Sequence, residues 1–123
     1  MQGFGELEAA LMELLWRRGT ATTVREALAE LRWHRELAYT TVMTVFDNLH
    51  RKGWLTREPA GRAYRYLPAM SRDQYVAQTM HDALVDSGDR LEALTAFVGK
   101  MTLDEAAALR AALSTYERRI GGR

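Results

Sequence analysis

From Tyr39 onward, apolar side chains recur at Val42, Val45, Phe46 and Leu49. That spacing, i, i+3, i+4 and i+7, puts all four on one stripe of a helix and predicts that the stripe is buried. The opposite face carries Thr40, Thr44, Asp47 and Arg51, with Thr41 and Asn48 on one shoulder and Met43 on the other. A merely solvated helix surface favours Glu, Lys, Gln and Ala, so an outward face of β-branched threonines calls for a reason. Threonine hydroxyls and methyls contact base edges and the thymine methyl, which is one such reason. The alternative is that Thr40 and Thr41 cap the helix and Thr44 bonds back to a carbonyl, as short hydroxylated side chains readily do.

The pattern then changes period. Gly53 stops the helix after Arg51 and Lys52, two cations suited to the negative end of the helix dipole. Residues 54–58 and 63–67 are rich in β-formers, and Pro59, Ala60 and Gly61 supply turn chemistry between them, so a hairpin follows. Arg51, Lys52, Arg57, Arg62 and Arg65 face only Glu58 in this stretch, a local charge of +4. Such a cluster neutralises backbone phosphates and contributes affinity without sequence information. Strand arginines also blunt an exposed sheet edge, which is the competing explanation.

Upstream, Leu7, Ala10, Leu11, Leu14 and Leu15 form a stripe over residues 5–18 that ends before Gly19. Thr23 with Glu26 makes a capping box, and Val24, Ala27, Leu28 and Leu31 share the face behind it. Residues 20–22 are long enough for a short strand. Three helices and a hairpin in about 70 residues predict a winged helix-turn-helix spanning residues 1–70. The fold class expected is mainly α with a small β-hairpin.

Residues 71–123 read as three more helices. Ser71 with Gln74 opens one that runs to about residue 87. Asp89 caps the next, with Leu91, Leu94, Val98 and Met101 on one side; Thr102 with Glu105 opens the last. There Leu109, Leu113, Tyr116 and Ile120 continue a heptad-like seam from Ala106. Burying these stripes within one chain leaves a thin core, so pairing with a second copy is the economical solution. A two-fold dimer also sets two reading helices about 34 Å apart, one turn of B-DNA. The expected partners are a second copy of the chain and double-stranded operator DNA.

Composition narrows the chemistry. The chain has 123 residues, a formal net charge of +1 and 47% hydrophobic residues, ordinary for one globular domain with a helical appendage. It has no cysteine, which removes disulfides, thiolate nucleophiles and cysteine metal sites and fits a cytoplasmic location. The N-terminal apolar run is broken by Glu6, Glu8 and Glu13, so it reads as neither signal peptide nor membrane span. His34, His50 and His81 fall in separate segments without metal-ligand spacing, and His34 with Glu36 offers too few donors for a metal. Met43, Met70, Met80 and Met101 read as core filler rather than ligands. No cofactor, metal or catalytic constellation is implied, and an enzyme is not expected.

Ala38-Tyr39-Thr40-Thr41-Val42-Met43-Thr44-Val45, Arg51-Lys52-Gly53 and Gly61-Arg62-Ala63-Tyr64-Arg65-Tyr66-Leu67-Pro68, with Gly5-Glu6-Leu7-Glu8 and Leu14-Leu15-Trp16, resemble the penicillinase repressor (BlaI/MecI) family over essentially the whole chain. The resemblance implies a homodimeric repressor, relieved when a membrane sensor metalloprotease or its protease effector triggers cleavage in the dimerisation half after a β-lactam or cell-wall signal. The family's Asn–Phe cut corresponds here to Ala96-Phe97, a departure at Ala96. Its copper-sensing members carry paired cysteines that this chain lacks. Ala38-Tyr39 stands where the family has Ser-Pro, removing a side-chain cap that contributes about 1 kcal/mol. By the same resemblance Thr40, Thr41 and Thr44 approach bases or adjacent phosphates, Met43 touches a base, and Arg51, Lys52 and Arg62 hold the backbone, with Asn48 and Arg65 expected beside them. Leu91, Leu94, Val98, Leu109, Leu113, Tyr116 and Ile120 are the expected dimerisation seam. Two other readings fit the pattern: a winged helix released by a small ligand, and a helical protein-interaction adaptor.

Overall fold

The computed structural model describes residues 3–31 and 36–121; the two-donor reading of His34 with Glu36 therefore lies outside the described residues. In chain order the elements are α1 (Glu6–Arg18), β1 (Thr22–Thr23), α2 (Val24–Leu31), α3 (Tyr39–Arg51), β2 (Leu55–Ala60), β3 (Ala63–Pro68), α4 (Arg72–Val85), α5 (Arg90–Val98) and α6 (Leu103–Gly121). The order from α1 to β3, with strands arranged β1-β3-β2, is a winged helix-turn-helix. The chain divides into two compact units at Thr79 and Met80, within α4.

Local chemistry sets the helix ends. Glu8 accepts from the Gly5 amide at the start of α1, and Gly19 ends that helix in the left-handed region at φ 69°. The Thr23–Glu26 box is reciprocal, with amide-to-side-chain bonds of 2.9 and 3.2 Å, and Ser71–Gln74 and Thr102–Glu105 repeat it before α4 and α6. Asp89 caps α5 by accepting from the Glu92 amide. At the end of α3, Gly53 at φ 88° lets its amide reach the His50 carbonyl and the Trp54 amide reach that of Leu49, a Schellman motif.

The core of the first unit follows the stripes. Leu11 and Leu15 of α1, Ala27 of α2, Val42, Phe46 and Leu49 of α3, and Leu55 and Tyr66 of the hairpin are buried together. Burial of each large side chain contributes about 1.5–3 kcal/mol, so this cluster fixes the helix-to-hairpin arrangement. A ring cluster closes it on one side. Tyr75 of α4 lies 5.0 Å from Phe4 and 5.5 Å from both Trp16 and Trp54, while the Trp16 indole donates to the Met70 carbonyl. Arg72, paired with Glu13, ties the start of α4 to α1.

Four expectations are corrected. The hairpin turn is not at residues 59–61: Ala60 pairs with Ala63, leaving Gly61 and Arg62 as a two-residue loop, and Pro59 is a strand residue opposite Tyr64. Gly61 alone has positive φ, 65°, the pattern of a type II′ turn, and β2 is an edge strand, where a missing N–H is tolerated. The short strand is residues Thr22–Thr23 rather than 20–22, because Thr22 pairs with Tyr66 and Thr23 with Arg65. Met101 falls outside α5: the Lys100 and Met101 amides bond back three residues, to Phe97 and Val98, which tightens and ends the helix. Met43 and Met80 are exposed rather than core filler, and among the described methionines Met12 is the one wholly buried.

Candidate nucleic-acid interface

α3 divides as its periodicity predicts. Val42, Phe46 and Leu49 are buried and Val45 half-buried, while Thr40, Thr41, Met43, Thr44 and Arg51 are exposed. Ala38 provides no side-chain cap at its start, so the first turn depends on backbone bonds to the Ala38 carbonyl. The Thr44 hydroxyl donates to the Thr40 carbonyl at 2.8 Å. Thr95 and Thr115 make the same back-bond in α5 and α6, so it is ordinary behaviour for helical threonine. With its proton engaged, Thr44 presents a methyl group and an accepting oxygen to the outside. An exocyclic amino group of adenine or cytosine complements that oxygen, and the thymine methyl complements the methyl.

Strand register places the wing cations. Arg62 is exposed at the hairpin tip, and no ion pair involves it among the described residues. Arg57 lies opposite Tyr66 and shares a sheet face with buried Leu55, toward α3. Arg65 pairs with Glu58 on the other face, where its charge also acts on Glu26. Thus Arg57 extends from the reading helix's side of the wing, Arg62 stands at its tip, and Arg65 does not share the face of Arg57.

Partners from outside the segment answer several of its charges. Lys52 Nζ is 3.0 Å from Glu8 Oε2, tying the end of α3 to the start of α1. The Gly5 amide, then Lys52, hold the Glu8 carboxyl below its ordinary value against the cost of burial. Arg51 donates to Asn48 Oδ1 at 2.6 Å and lies 3.1 Å from Asp47. The sequence count of +4 therefore overstates the charge left unanswered on this surface. The structure also adds contacts absent from that reading. The Arg25 guanidinium of α2 sits 5.4 Å over the Tyr39 ring, where the first turns of α2 and α3 meet, and Arg57 sits 4.1 Å over Tyr64. The two-residue turn sets Arg57 opposite Tyr66 and one diagonal step from Tyr64 on the same sheet face.

In the second unit the apolar positions stand open. Leu91, Leu94, Val98, Leu113, Tyr116 and Ile120 are exposed and Leu109 half-buried, and Ala96 and Phe97 are exposed in the last turn of α5. A cavity of about 360 Å³ lies between α4 and α5, lined by Met80, His81, Leu84, Leu94 and Phe97 among others. No helix among the described residues is long and apolar enough to cross a membrane.

Comparison with known proteins agrees with this layout. Residues 4–115 match the family described as penicillinase repressor. The chain is 46% identical over 122 residues to the transcriptional regulator BlaI of Mycobacterium tuberculosis, spanning 97% of this chain and 88% of that one. Among solved structures it is similar to the DNA-binding domain of the repressor BlaI, with 23% identity and a TM-score of 0.53 over 59% of this chain and 88% of that one. It is also similar to MepR, a transcription regulator of the Staphylococcus aureus multidrug efflux pump MepA, with 14% identity and a TM-score of 0.50 over 96% of this chain and 81% of that one. At such identities the two structures speak for the fold alone.

Proposed function

The chain belongs to the penicillinase repressor family, and on that premise we propose that it is a homodimeric transcriptional repressor holding a palindromic operator with α3 in the major groove and the β2–β3 wing along the backbone. Its relatives are named transcriptional regulators, and the chain acts by binding rather than by catalysis. The observation that carries the reading is the division of α3, with valine and phenylalanine inward and Thr40, Thr41, Met43 and Thr44 outward. Those four approach base edges. Asn48, Arg51, Lys52, Arg62 and Arg65 serve the sugar-phosphate backbone: Arg62 with the least competition from carboxylates, Arg51 and Lys52 in orientations held by Asp47 and Glu8, and Arg65 from the opposite face of the wing. A cytoplasmic site of action follows from the same reading.

Exposed seams on α5 and α6 support the dimer, because several large apolar side chains left in water are a cost that a second copy removes. Relief is by proteolysis between Ala96 and Phe97, triggered through a membrane sensor metalloprotease or its effector after a β-lactam or cell-wall signal. The bond is in a helix, so the protease must first unwind the end of α5. The α4–α5 cavity favours a second reading, release by an apolar small molecule; melting-temperature rises with candidate ligands separate it from proteolysis.

Footprinting on DNA flanking the chain's own gene tests the main reading. Two symmetric protected half-sites, about one helical turn apart, are expected. Failure to retard any such fragment at low salt removes the proposal.

A further inference from the structure

One carboxylate bridges the reading helix and the wing. Asp47 lies on the outward stripe of α3, three residues beyond Thr44. Its Oδ2 is 3.1 Å from Arg51 Nη2, one turn on, and its Oδ1 is 3.7 Å from Arg57 Nη1 on β2. Arg57 is held once more, by stacking over the Tyr64 ring, and the Tyr66 phenol opposite it across the strands favours its charged form. Of the two guanidiniums it is the more enclosed: 29% of its side chain is exposed, against 68% for Arg51.

A lone carboxylate on a surface that meets DNA repels phosphate and weakens every complex alike. Here the charge is answered by two cations on two elements, and α3, β2 and β3 are joined through Asp47, Arg57 and Tyr64. Isolated exposed ion pairs contribute little to folding stability, so the consequence of this network is orientation rather than stability. Discrimination between DNA sequences arises as much from penalising wrong complexes as from favouring the right one.

We propose that Asp47 is a specificity-determining residue: it ties Arg51 and Arg57 together so that helix and wing meet DNA in one fixed relation and neither guanidinium is free to take an arbitrary phosphate. Arg57 is its positioning partner rather than a phosphate contact. The proposal rests on the reading of α3 and the wing as the DNA surface.

The test uses two 30-base-pair duplexes, one selected by the wild-type chain from a random library and one with the same bases scrambled. Affinities are measured over a range of salt concentrations for the wild type, Asp47→Asn and Arg57→Met, with circular dichroism to check folding. For Asp47→Asn, we expect binding to the scrambled duplex to rise about three- to tenfold, and the salt dependence to steepen by about one counterion per freed guanidinium. The selected-to-scrambled ratio should fall about tenfold or more. Arg57→Met keeps an apolar stem over Tyr64, and its expected effect is a lower ratio with the salt slope unchanged. Unchanged scrambled-duplex affinity and slope in Asp47→Asn, or a slope reduced by about one in Arg57→Met, overturns the proposal. Wild-type chain that selects no duplex at all sinks the DNA reading itself, a distinguishable failure.

Discussion

Thr44 and Arg62 represent two kinds of contact. Thr44 has its hydroxyl proton on the Thr40 carbonyl, so what it offers is a methyl group and lone pairs, a small but sequence-dependent surface. Arg62 stands at the tip of a two-residue turn with its charge unanswered by any carboxylate among the described residues. Thr44→Ala is expected to cost about 1–3 kcal/mol on the operator and far less on unrelated DNA. Arg62→Ala should weaken both and lower the slope of log affinity against log salt by about 0.9. Titrations on both DNAs at several salt concentrations check the pair, and equal losses for Thr44→Ala would remove its base-reading role. Glu8 adds a pH signature. Its folded-state carboxyl is held down by the Gly5 amide and Lys52, so its contribution is complete above the unfolded value of about 4.3 and is lost as the pH falls below it. Thermal melts from pH 6 to 3 should show a larger loss in the wild type than in Glu8→Gln, which keeps the loss due to the similarly depressed Glu26 carboxyl.

At the scale of elements, the end of α3 is the most exacting junction, because one glycine lets the helix finish and the wing begin. A Cβ at Gly53 meets nothing within 4 Å, so the cost of Gly53→Ala is backbone strain at φ 88° alone, about 1 kcal/mol by chemical denaturation. No loss would mean that the junction relaxes freely. Much of this architecture was legible in the sequence because its signals are local. The Thr23–Glu26, Ser71–Gln74 and Thr102–Glu105 boxes and the Val42–Phe46–Leu49 stripe each lie within two turns of chain. What was illegible depends on partners distant in sequence. Pro59 resembles a turn residue until β2 is known to be an edge strand, and moving the turn by two residues changes which side chains face one another. Lys52 reads as an unanswered cation until Glu8, forty-four positions earlier, is found against it. The Asp47–Arg57 link was hidden for the same reason.

For the whole molecule the two units have unequal cores. The first surrounds Phe46 with buried side chains from α1, α2, α3, β2 and β3, whereas α5 and α6 contribute no buried residue among those described. Leu91 is 75% exposed and Tyr116 60%. If a second copy covers them, the melting temperature will rise with protein concentration, and Leu113→Asp will sediment as a monomer and bind operator far more weakly. Concentration-independent melting with monomeric wild type would leave those seams for another partner. How the seams are covered could not be read from one sequence, since a heptad-like stripe looks the same whether its cover is cis or trans.

The distribution of phenol rings gives both surfaces a chemical reporter. Tyr66 and Tyr75 are sealed in the first unit's interior, whereas Tyr39 opens the reading helix, Tyr64 lies on the wing and Tyr116 sits on the seam of α6. A nitrating reagent should therefore modify three of the five rings. Bound duplex would shield the first two and self-association the third, so a single mass spectrum would report both events independently.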